Sequence, residues 1–340
     1  MTPLIIRLIA DIDEFKGYWR AMPALSNDTL ATYRVLATIE SIGSSTRIEG
    51  ARLSDREVSS LLRGIDTRSF RTRDEQEVAG YAKALELIQD RFDVIDLTEN
   101  NIKHIHKELC HFSEKDQWHL GEYKKHPNRV AMFDAHGNEV GVICETALPL
   151  QTPFLMSGLV ERTGHLLSDE NTHPLLAIAD FVVRFLAIHP FQDGNGRLSR
   201  VLTSLFMLRS GYEFVTYSSH ERIVEANKDK YYQTLRETQT EDLGKGDISP
   251  LWAEFFLETL KRQKDALQLK IEREKKAREF PELSAKILDL AREHGRVTVA
   301  FLTKTLSANR NTIKKHLQAL VRERRLVQQG KGRGTFYSPF

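Results

Sequence analysis

The chain has 340 residues, of which 41% are hydrophobic and 28% are charged, and its formal net charge at pH 7 is +2. These proportions are typical of a globular protein with two or three domains, and they exclude fibrous and intrinsically disordered classes. The longest apolar stretch, residues 175–188, contains Asp180 and Arg184 and is shorter than the roughly 20 residues of a membrane span. We therefore expect a cytoplasmic protein without membrane contacts.

Up to about residue 280, most of the chain follows a helical pattern in which apolar residues recur three and four positions apart. The segments with this pattern are 29–42, 75–88, 101–109, 175–188, 198–208 and 251–269. The clearest exception is 128–145, where two β-prone runs flank the turn-forming residues 134–138. The sequence therefore predicts a mainly α domain from which a β-hairpin projects.

The densest chemical signal is at residues 189–200, which read His-Pro-Phe-Gln-Asp-Gly-Asn-Gly-Arg-Leu-Ser-Arg. The stretch lies at the start of a predicted helix, where unpaired N–H groups and a partial positive charge favour anions. Gly194 and Gly196 allow an anion to approach the backbone closely. Arg197 and Arg200, three positions apart, can hold phosphates by charge-assisted hydrogen bonds. These features predict a phosphate-binding site.

Two other residues of the same stretch suit chemistry on a phosphate. A carboxylate such as Asp193, together with phosphate oxygens, is the usual way in which Mg²⁺ is held. His189 has an ordinary pKa near neutrality, which makes it the candidate general base for a hydroxyl nucleophile. Taken singly, these residues have plainer interpretations as a structural histidine, a turn and solvated arginines, so the prediction depends on the whole stretch.

The stretch resembles the Fic-family motif His-x-Phe-x-Asp/Glu-Gly-Asn-Gly-Arg-x-x-Arg at every specified position. The resemblance implies an adenylyltransferase that moves AMP from ATP to a Ser, Thr or Tyr hydroxyl of a target protein or of itself, and releases pyrophosphate. Related phosphotransferase toxins carry Lys where this chain has Gly196, which favours AMP transfer. The residues implied are the base His189, the Mg²⁺ ligand Asp193, the anion nest Gly194, Asn195 and Gly196, and the phosphate-binding Arg197 and Arg200.

Residues 45–50 read Ser-Thr-Arg-Ile-Glu-Gly and resemble the inhibitory pattern Ser/Thr-x-x-x-Glu-Gly/Asn of Fic proteins. The resemblance implies that Ser45, Glu49 and Gly50 belong to an inhibitory element in which Glu49 pairs with Arg200 and withdraws it from the γ-phosphate. An enzyme of low activity is then expected. The alternative is an ordinary helix end, with Gly50 as its cap and the other two side chains in solvent.

The Fic resemblance extends over roughly residues 30–239, and the hairpin at 128–145 corresponds in position to the family's flap. The edge of that flap receives the target segment as an added strand, although a plain surface hairpin fits the sequence equally well. The chain departs from the family at Lys124, where relatives commonly have Arg. Since Lys cannot make the bidentate contacts of Arg, the resemblance does not imply which contacts anchor the flap.

A group of five histidines within residues 104–126 suggests a metal site at first sight. These are His104, His106, His111, His119 and His126. Residues two apart on a helix face different directions, and no Cys or carboxylate completes a familiar ligand spacing. We therefore interpret them as surface or core histidines.

Residues 281–340 contain five Lys and seven Arg against four acidic residues, a net charge of +8 that suits a polyanion. The pattern predicts helices at 283–294, 299–306 and 310–323, followed by two short strands, as in a winged helix-turn-helix domain. DNA is the candidate partner, and protein contacts or a solvated basic face are the alternatives. The residues expected to contact DNA are Arg310, Asn311, Lys314 and Lys315 on the recognition helix, with Lys331 and Arg333 on the wing.

The predicted organisation has four parts. Residues 1–95 form an N-terminal helical region with the inhibitory helix, 96–250 the Fic catalytic core, 251–280 a connecting helix that ends at Pro281, and 281–340 the winged helix-turn-helix domain. A homodimer is a further candidate assembly. Two rival functions stay open at this point: a DNA-binding transcriptional regulator whose Fic domain senses nucleotide, and a Fic enzyme that removes AMP or uses another nucleotide.

Overall fold

The computed structural model describes residues 1–22, 25–64, 70–133, 139–241, 246, 248–330 and 332–340, without the side chains of 131–133, 139–145, 240–241, 275–281 and 333. The chain divides into two compact units, Met1–Leu267 and Gln268–Phe340. Helices dominate the described residues, so the predicted mainly α fold with a β-hairpin is confirmed. Within these ranges, no helix has the length and apolarity needed to cross a membrane.

The first unit is built from helices and one hairpin. Its helices are α1 (Pro3–Ala21), α2 (Asn27–Ile48), α3 (Asp55–Leu62), α4 (Arg73–Arg91), α5 (Glu99–Leu109), α6 (Thr152–Ser168), α7 (Pro174–Ile188), α8 (Asn195–Arg209), α9 (His220–Glu225), α10 (Lys228–Glu241) and the first part of α11 (Pro250–His294). Strands β1 (Arg129–Phe133) and β2 (Glu139–Glu145) pair antiparallel at the predicted hairpin, whose turn at 134–138 lies outside the described residues. Residues before and after position 95 belong to the same unit.

Helix α7 lies at the centre of the first unit because its sequence is apolar on all sides, and nearly every residue of it is buried. The acidic residue that interrupts this stretch, Asp180, is itself buried and lies between two arginines, with 2.7 Å to Arg162 Nε and 2.8 Å to Arg184 Nε. This pairing satisfies a charge that would otherwise be costly to bury. The helix ends at Ile188 and therefore delivers His189 from a rigid part of the fold.

Local sequence signals explain where several other helices begin. Ser54 and Glu57 form a capping box at the start of α3, and Thr72 and Glu75 form another at the start of α4. Helix α1 lies within the predicted helical region 1–95, although its own bounds were not predicted, and Thr2 caps it by accepting a hydrogen bond from the backbone N–H of Ile5.

The second unit contains the rest of α11, then α12 (Val299–Thr305), α13 (Arg310–Arg322), β3 (Leu326–Gln329) and β4 (Phe336–Pro339), and the two strands pair antiparallel. This is the predicted order of helices and strands, while the winged-helix assignment itself stays a prediction. The predicted end of the connecting helix at Pro281 is wrong, because α11 continues to His294. A proline removes one helical hydrogen bond, but the neighbouring Glu, Lys, Arg, Leu and Ala residues strongly favour helix.

Candidate active site

The loop between α7 and α8, residues 189–194, forms one side of a cavity of about 330 Å³. His189 ends α7 in the left-handed conformation, with φ 52°, and its side chain faces this cavity. Its Nδ1 lies 3.2 Å from the carbonyl oxygen of Leu186, a contact that requires Nδ1–H as the donor and leaves Nε2 with a free lone pair. Burial lowers the pKa of His189 to about 4, so the expectation of a pKa near neutrality is wrong.

The shape of the loop depends on Asn195, the first residue of α8. Its Oδ1 accepts a hydrogen bond from the N–H of Phe191 at 2.9 Å, and its Nδ2 donates to the carbonyl of the same residue at 2.8 Å. Asn128 donates to that carbonyl too, at 2.7 Å, and the Phe191 ring is completely buried. The Asn195 side chain therefore holds the loop together instead of pointing to a phosphate.

Asp193 carries a carboxylate that receives four donors. Its Oδ1 accepts from the N–H of Gly194 at 2.6 Å and lies 3.4 Å from Arg197 Nη2, while its Oδ2 lies 2.6 Å from Lys115 Nζ and 3.5 Å from Arg73 Nη2. Although burial opposes ionisation, these positive neighbours keep the pKa of Asp193 well below its usual range. The group is therefore ionised at any pH at which the protein functions.

The donor set around Asp193 fits Mg²⁺ in a limited sense. Among the described residues, no three His, Cys, Asp or Glu side chains are grouped so that they could hold a metal ion. Mg²⁺ keeps most of its waters and commonly uses one or two carboxylates together with the phosphates of a substrate. A single ionised carboxylate beside the start of α8, where phosphate binding was predicted, fits an ion that would arrive with a nucleotide.

The two arginines of the motif are both buried but have different partners. Arg197 lines the cavity and lies 3.3 Å from Glu77 Oε2, in addition to its contact with Asp193. Arg200 donates from Nε to Ser45 Oγ at 2.8 Å and from Nη2 to Glu49 Oε1 at 2.8 Å. Both arginines were predicted to hold phosphates, whereas Arg200 points towards the end of α2.

The end of α2 brings Glu49 to the start of α8. Glu49 is the C-cap residue of α2, and Gly50 follows it with φ 102°, a conformation that favours glycine. The Glu49 carboxylate lies in the cavity directly over Gly196, where any side chain would overlap it. The predicted pairing of Glu49 with Arg200 is therefore observed. The alternative, an ordinary helix end with Ser45 and Glu49 in solvent, is wrong, because Ser45 is buried and both side chains bond to Arg200.

Several residues of the cavity were not found by sequence analysis. Lys115 lies in a 3-10 turn between α5 and the hairpin, and Arg73 is the first residue of α4. The far wall contains Tyr231, Tyr232 and Leu235 of α10. None of them belongs to a contiguous motif, so only their positions in space reveal them.

Comparison with known proteins identifies one domain of the chain. Residues 96–207 match the model of the Fic/DOC family. Two curated proteins named "Protein adenylyltransferase Fic" are similar to this chain. The protein from Drosophila virilis is 25% identical over 251 residues, which cover 72% of this chain and 45% of that protein. The protein from Drosophila sechellia is 26% identical over 232 residues, which cover 66% of this chain and 41% of that protein. Residues 96–207 form a Fic domain. The chain spans less than half the length of these Drosophila relatives.

Solved structures show the same fold. A Fic family protein from Desulfovibrio desulfuricans superposes with a TM-score of 0.64 at 23% identity, over 100% of this chain and 97% of that one. A Fic domain containing signaling protein from Bacteroides thetaiotaomicron gives a TM-score of 0.61 at 23% identity, over 75% of this chain and 95% of that one.

Lys124, which stands where Fic relatives commonly have Arg, attaches the base of the hairpin to the end of α7, directly before the Fic motif. Its Nζ donates to the carbonyl of Ile188 at 2.9 Å, to Asn128 Oδ1 at 2.8 Å and to Thr146 Oγ1 at 2.9 Å. These acceptors satisfy all three N–H groups of an ammonium, and burial lowers the pKa of Lys124 to about 8. A lysine is thus sufficient to join the two segments.

Two of the five clustered histidines are buried beside the Fic motif, and both have hydrogen-bond partners. His106 Nε2 lies 3.0 Å from the carbonyl oxygen of Asp193, and His119 Nε2 lies 3.0 Å from Asp116 Oδ1. They are core histidines with defined contacts. Their spacing in sequence gave no sign that one of them touches the motif.

In the second unit, the four residues of α13 that were predicted to contact DNA are all exposed: Arg310, Asn311, Lys314 and Lys315. The same helix buries Ile313, Leu317 and Leu320 in the core of that unit. Lys331 lies outside the described residues, and the side chain of Arg333 does too.

Proposed function

We propose that this Fic-domain protein transfers AMP from ATP to a hydroxyl group of a protein, and that Glu49 restrains the reaction. The observation that carries the proposal is that a candidate base, an ionised carboxylate and a buried arginine face one cavity at the start of α8: His189, Asp193 and Arg197. The similarity to Drosophila proteins named as adenylyltransferases supports the same chemistry.

In the proposed reaction, His189 Nε2 accepts the proton of a Ser, Thr or Tyr hydroxyl as its oxygen attacks the α-phosphorus of ATP. The bond from that phosphorus to the bridging oxygen breaks, pyrophosphate leaves, and AMP stays on the protein. Arg197 and the first N–H groups of α8 stabilise negative charge, and positioning and charge stabilisation supply most of the rate. Asp193 would hold Mg²⁺, which when bound neutralises charge on the phosphates.

The proposed restraint follows from competition for Arg200. Glu49 accepts a hydrogen bond from Arg200 at 2.8 Å, so this arginine is unavailable to an outer phosphate until Glu49 moves. A charge-assisted hydrogen bond contributes roughly 1.5–3 kcal/mol, which corresponds to about 10–100-fold in productive ATP binding. The native chain should therefore transfer AMP slowly, and Glu49→Gly, which we call the released variant, should transfer it faster.

The proposal is tested by incubating the native chain, the released variant and the double variant Glu49→Gly/His189→Ala with α-³²P-ATP and Mg²⁺, and by measuring label on protein. Strong labelling of the released variant that disappears without His189 is expected. Absence of label in all three, with and without cell lysate, contradicts AMP transfer from ATP. Loss of label from a pre-modified protein on addition of the native chain would instead identify AMP removal.

A second proposal concerns the second unit, which we infer to bind DNA through the exposed side of α13. The unit carries the chain's excess of basic residues, and Lys314 and Lys315 are exposed on this helix. Binding of a labelled duplex, measured by fluorescence anisotropy, should weaken steeply as salt rises and should fall further in Lys314→Glu/Lys315→Glu. Absence of binding at low salt refutes this proposal without affecting the first.

A further inference from the structure

His106 occupies a special position beneath the Fic motif. It lies on α5 with no exposed surface, and its imidazole ring stacks in parallel on the ring of Phe191, with centroids 3.9 Å apart and planes 8° apart. Phe191 belongs to the loop that joins His189 to α8. His106 therefore packs beneath the motif loop and supports it through the Phe191 ring.

The two ring nitrogens of His106 are both used, in opposite roles. Nδ1 accepts a hydrogen bond from the N–H of Gly121 at 3.1 Å. Because a neutral imidazole has one donor and one acceptor, Nε2–H then donates to the carbonyl of Asp193 at 3.0 Å. His106 thus links two chain segments that are far apart in sequence.

The carbonyl of Asp193 matters because the next residue turns the chain into α8. Gly194 has φ 80°, and its N–H points back to the carboxylate of Asp193 at 2.6 Å. The segment after Gly121 is also tied to the loop, since the N–H of Lys124 donates to the carbonyl of Pro190 at 2.8 Å. The orientation of the Asp193 peptide therefore fixes the direction of its carboxylate.

We propose that His106 is a positioning residue that orients Asp193 towards the metal and phosphates through the hydrogen bond from Nε2–H to the Asp193 carbonyl. This proposal rests on the proposed AMP transfer. A positioning role requires a hydrogen-bond donor at the position of Nε2. If His106 only filled space, any flat ring of the same size would be sufficient.

Three substitutions separate these possibilities. His106→Phe keeps the stacking on Phe191 and removes both hydrogen bonds. His106→Gln places an N–H close to the position of Nε2 and can restore the donor to Asp193, and His106→Asn can restore only the acceptor for Gly121. Cys110→Ala is the matched control, because its Sγ also lies next to His106, at 3.6 Å from Nε2, but it donates nothing to the loop.

The experiment measures kcat, KM for ATP and thermal stability of these variants in the released Glu49→Gly background. We expect His106→Phe to lower kcat about 10–100-fold, the effect of leaving the buried carbonyl of Asp193 without its donor. His106→Gln should recover most of this loss, His106→Asn should not, and Cys110→Ala should change kcat less than about threefold. Equal kcat in the Phe and parent proteins, or a Gln variant as slow as the Phe variant, overturns the proposal.

A second readout does not depend on turnover. Binding of Mn²⁺ in the presence of a non-hydrolysable ATP analogue, followed by electron paramagnetic resonance, should weaken in His106→Phe and recover in His106→Gln. Unchanged Mn²⁺ affinity in His106→Phe contradicts the positioning role. If the released parent itself transfers no AMP, the proposed function fails, and the Mn²⁺ measurement still decides the role of His106. Were His106→Phe to unfold, the comparison of Gln with Asn would serve the same purpose.

Discussion

Replacing Arg47 by Met should raise AMP transfer by the otherwise native chain, because Arg47 fixes the end of the helix that carries Glu49. Its guanidinium makes a bidentate contact with Glu225 of α9, with Nε at 2.6 Å and Nη2 at 3.0 Å from the two carboxylate oxygens. Nη1 also donates to the carbonyl of Leu53 at 2.9 Å and lies 3.0 Å from Asp55 Oδ1. Arg47 is two residues from Glu49, so we expect these contacts to hold the Glu49 carboxylate in place.

The size of the effect follows from the contacts that are lost. The Arg47 side chain is 22% exposed and that of Glu225 is 29% exposed, so the pair is partly shielded from water. Because solvent screening weakens a partly exposed pair, the two charge-assisted hydrogen bonds together contribute roughly 1.5–3 kcal/mol, the usual range for one such bond. If this energy stabilises the conformation in which Glu49 holds Arg200, its loss raises the fraction of molecules in which Glu49 has left Arg200 about 10–100-fold. The activity of Glu49→Gly sets the upper limit.

The assay compares label transfer from α-³²P-ATP by Arg47→Met in the native and the Glu49→Gly backgrounds. Transfer should increase in the native background and should not increase when Glu49 is already absent. Arg34→Met is the matched control, since Arg34 lies on the same helix but makes an exposed pair with Asp90 at 3.3 Å, and it should change transfer less than about twofold. An equal increase in both backgrounds, or none in the native one, would refute this reasoning.

Three further predictions concern the charges of the site. Lys115→Met in the released variant should lower the Mg²⁺ concentration needed for half-maximal transfer, because the Lys115 ammonium lies 2.6 Å from the Asp193 carboxylate and would compete with the metal ion for it. A metal titration in which this variant needs more Mg²⁺ contradicts the prediction. Since burial lowers the pKa of His189 to about 4, transfer should stay constant from pH 8 to about 5 and fall only near pH 4, and a pH profile with its acid limb near 6.5 would be incompatible with the structure. Burial also lowers the pKa values of His106 and His220 from the ordinary 6.5 to about 4, so below pH 6.5 the unfolded state binds more protons than the folded state. The free energy of unfolding should therefore be constant above about pH 6.5 and should decrease towards pH 4. Urea unfolding at pH 7 and at pH 5 measures this difference.

The helices and the motif could be predicted from the sequence because both signals are local. Helix α7 is apolar throughout, and the chemical residues of the motif fall within twelve consecutive positions, so spacing alone placed His189 and Asp193 at one helix start. Helix α11 shows the limit of this approach. Pro281 is a strong local signal for a helix end, yet the surrounding residues carry the helix through it.

The site beyond the motif could not be predicted, because its residues meet only in the folded chain. Lys115 and Arg73 reach Asp193 from 78 and 120 positions away, and nothing in their own neighbourhoods marks them. The chemical properties of single residues could not be predicted either. The pKa of His189 is lowered by burial, which depends on the folded structure and not on the neighbouring sequence. Asn195 matched the motif as part of an anion nest, whereas its side chain is occupied in holding Phe191.

In the proposed function, Glu49 and a phosphate would compete for one anion site, so a single carboxylate would be enough to restrain the reaction. The carboxylate lies over Gly196 in the first turn of α8, where unpaired N–H groups and the helix dipole attract negative charge. It also bonds to Arg200, so one group takes both the backbone site and the arginine that a triphosphate would need. Because Glu49 is part of the same chain, ATP would meet a competitor at high effective concentration. We therefore expect any change that weakens the anchoring of α2 near Arg47 to favour ATP without altering a residue of the proposed nucleotide site.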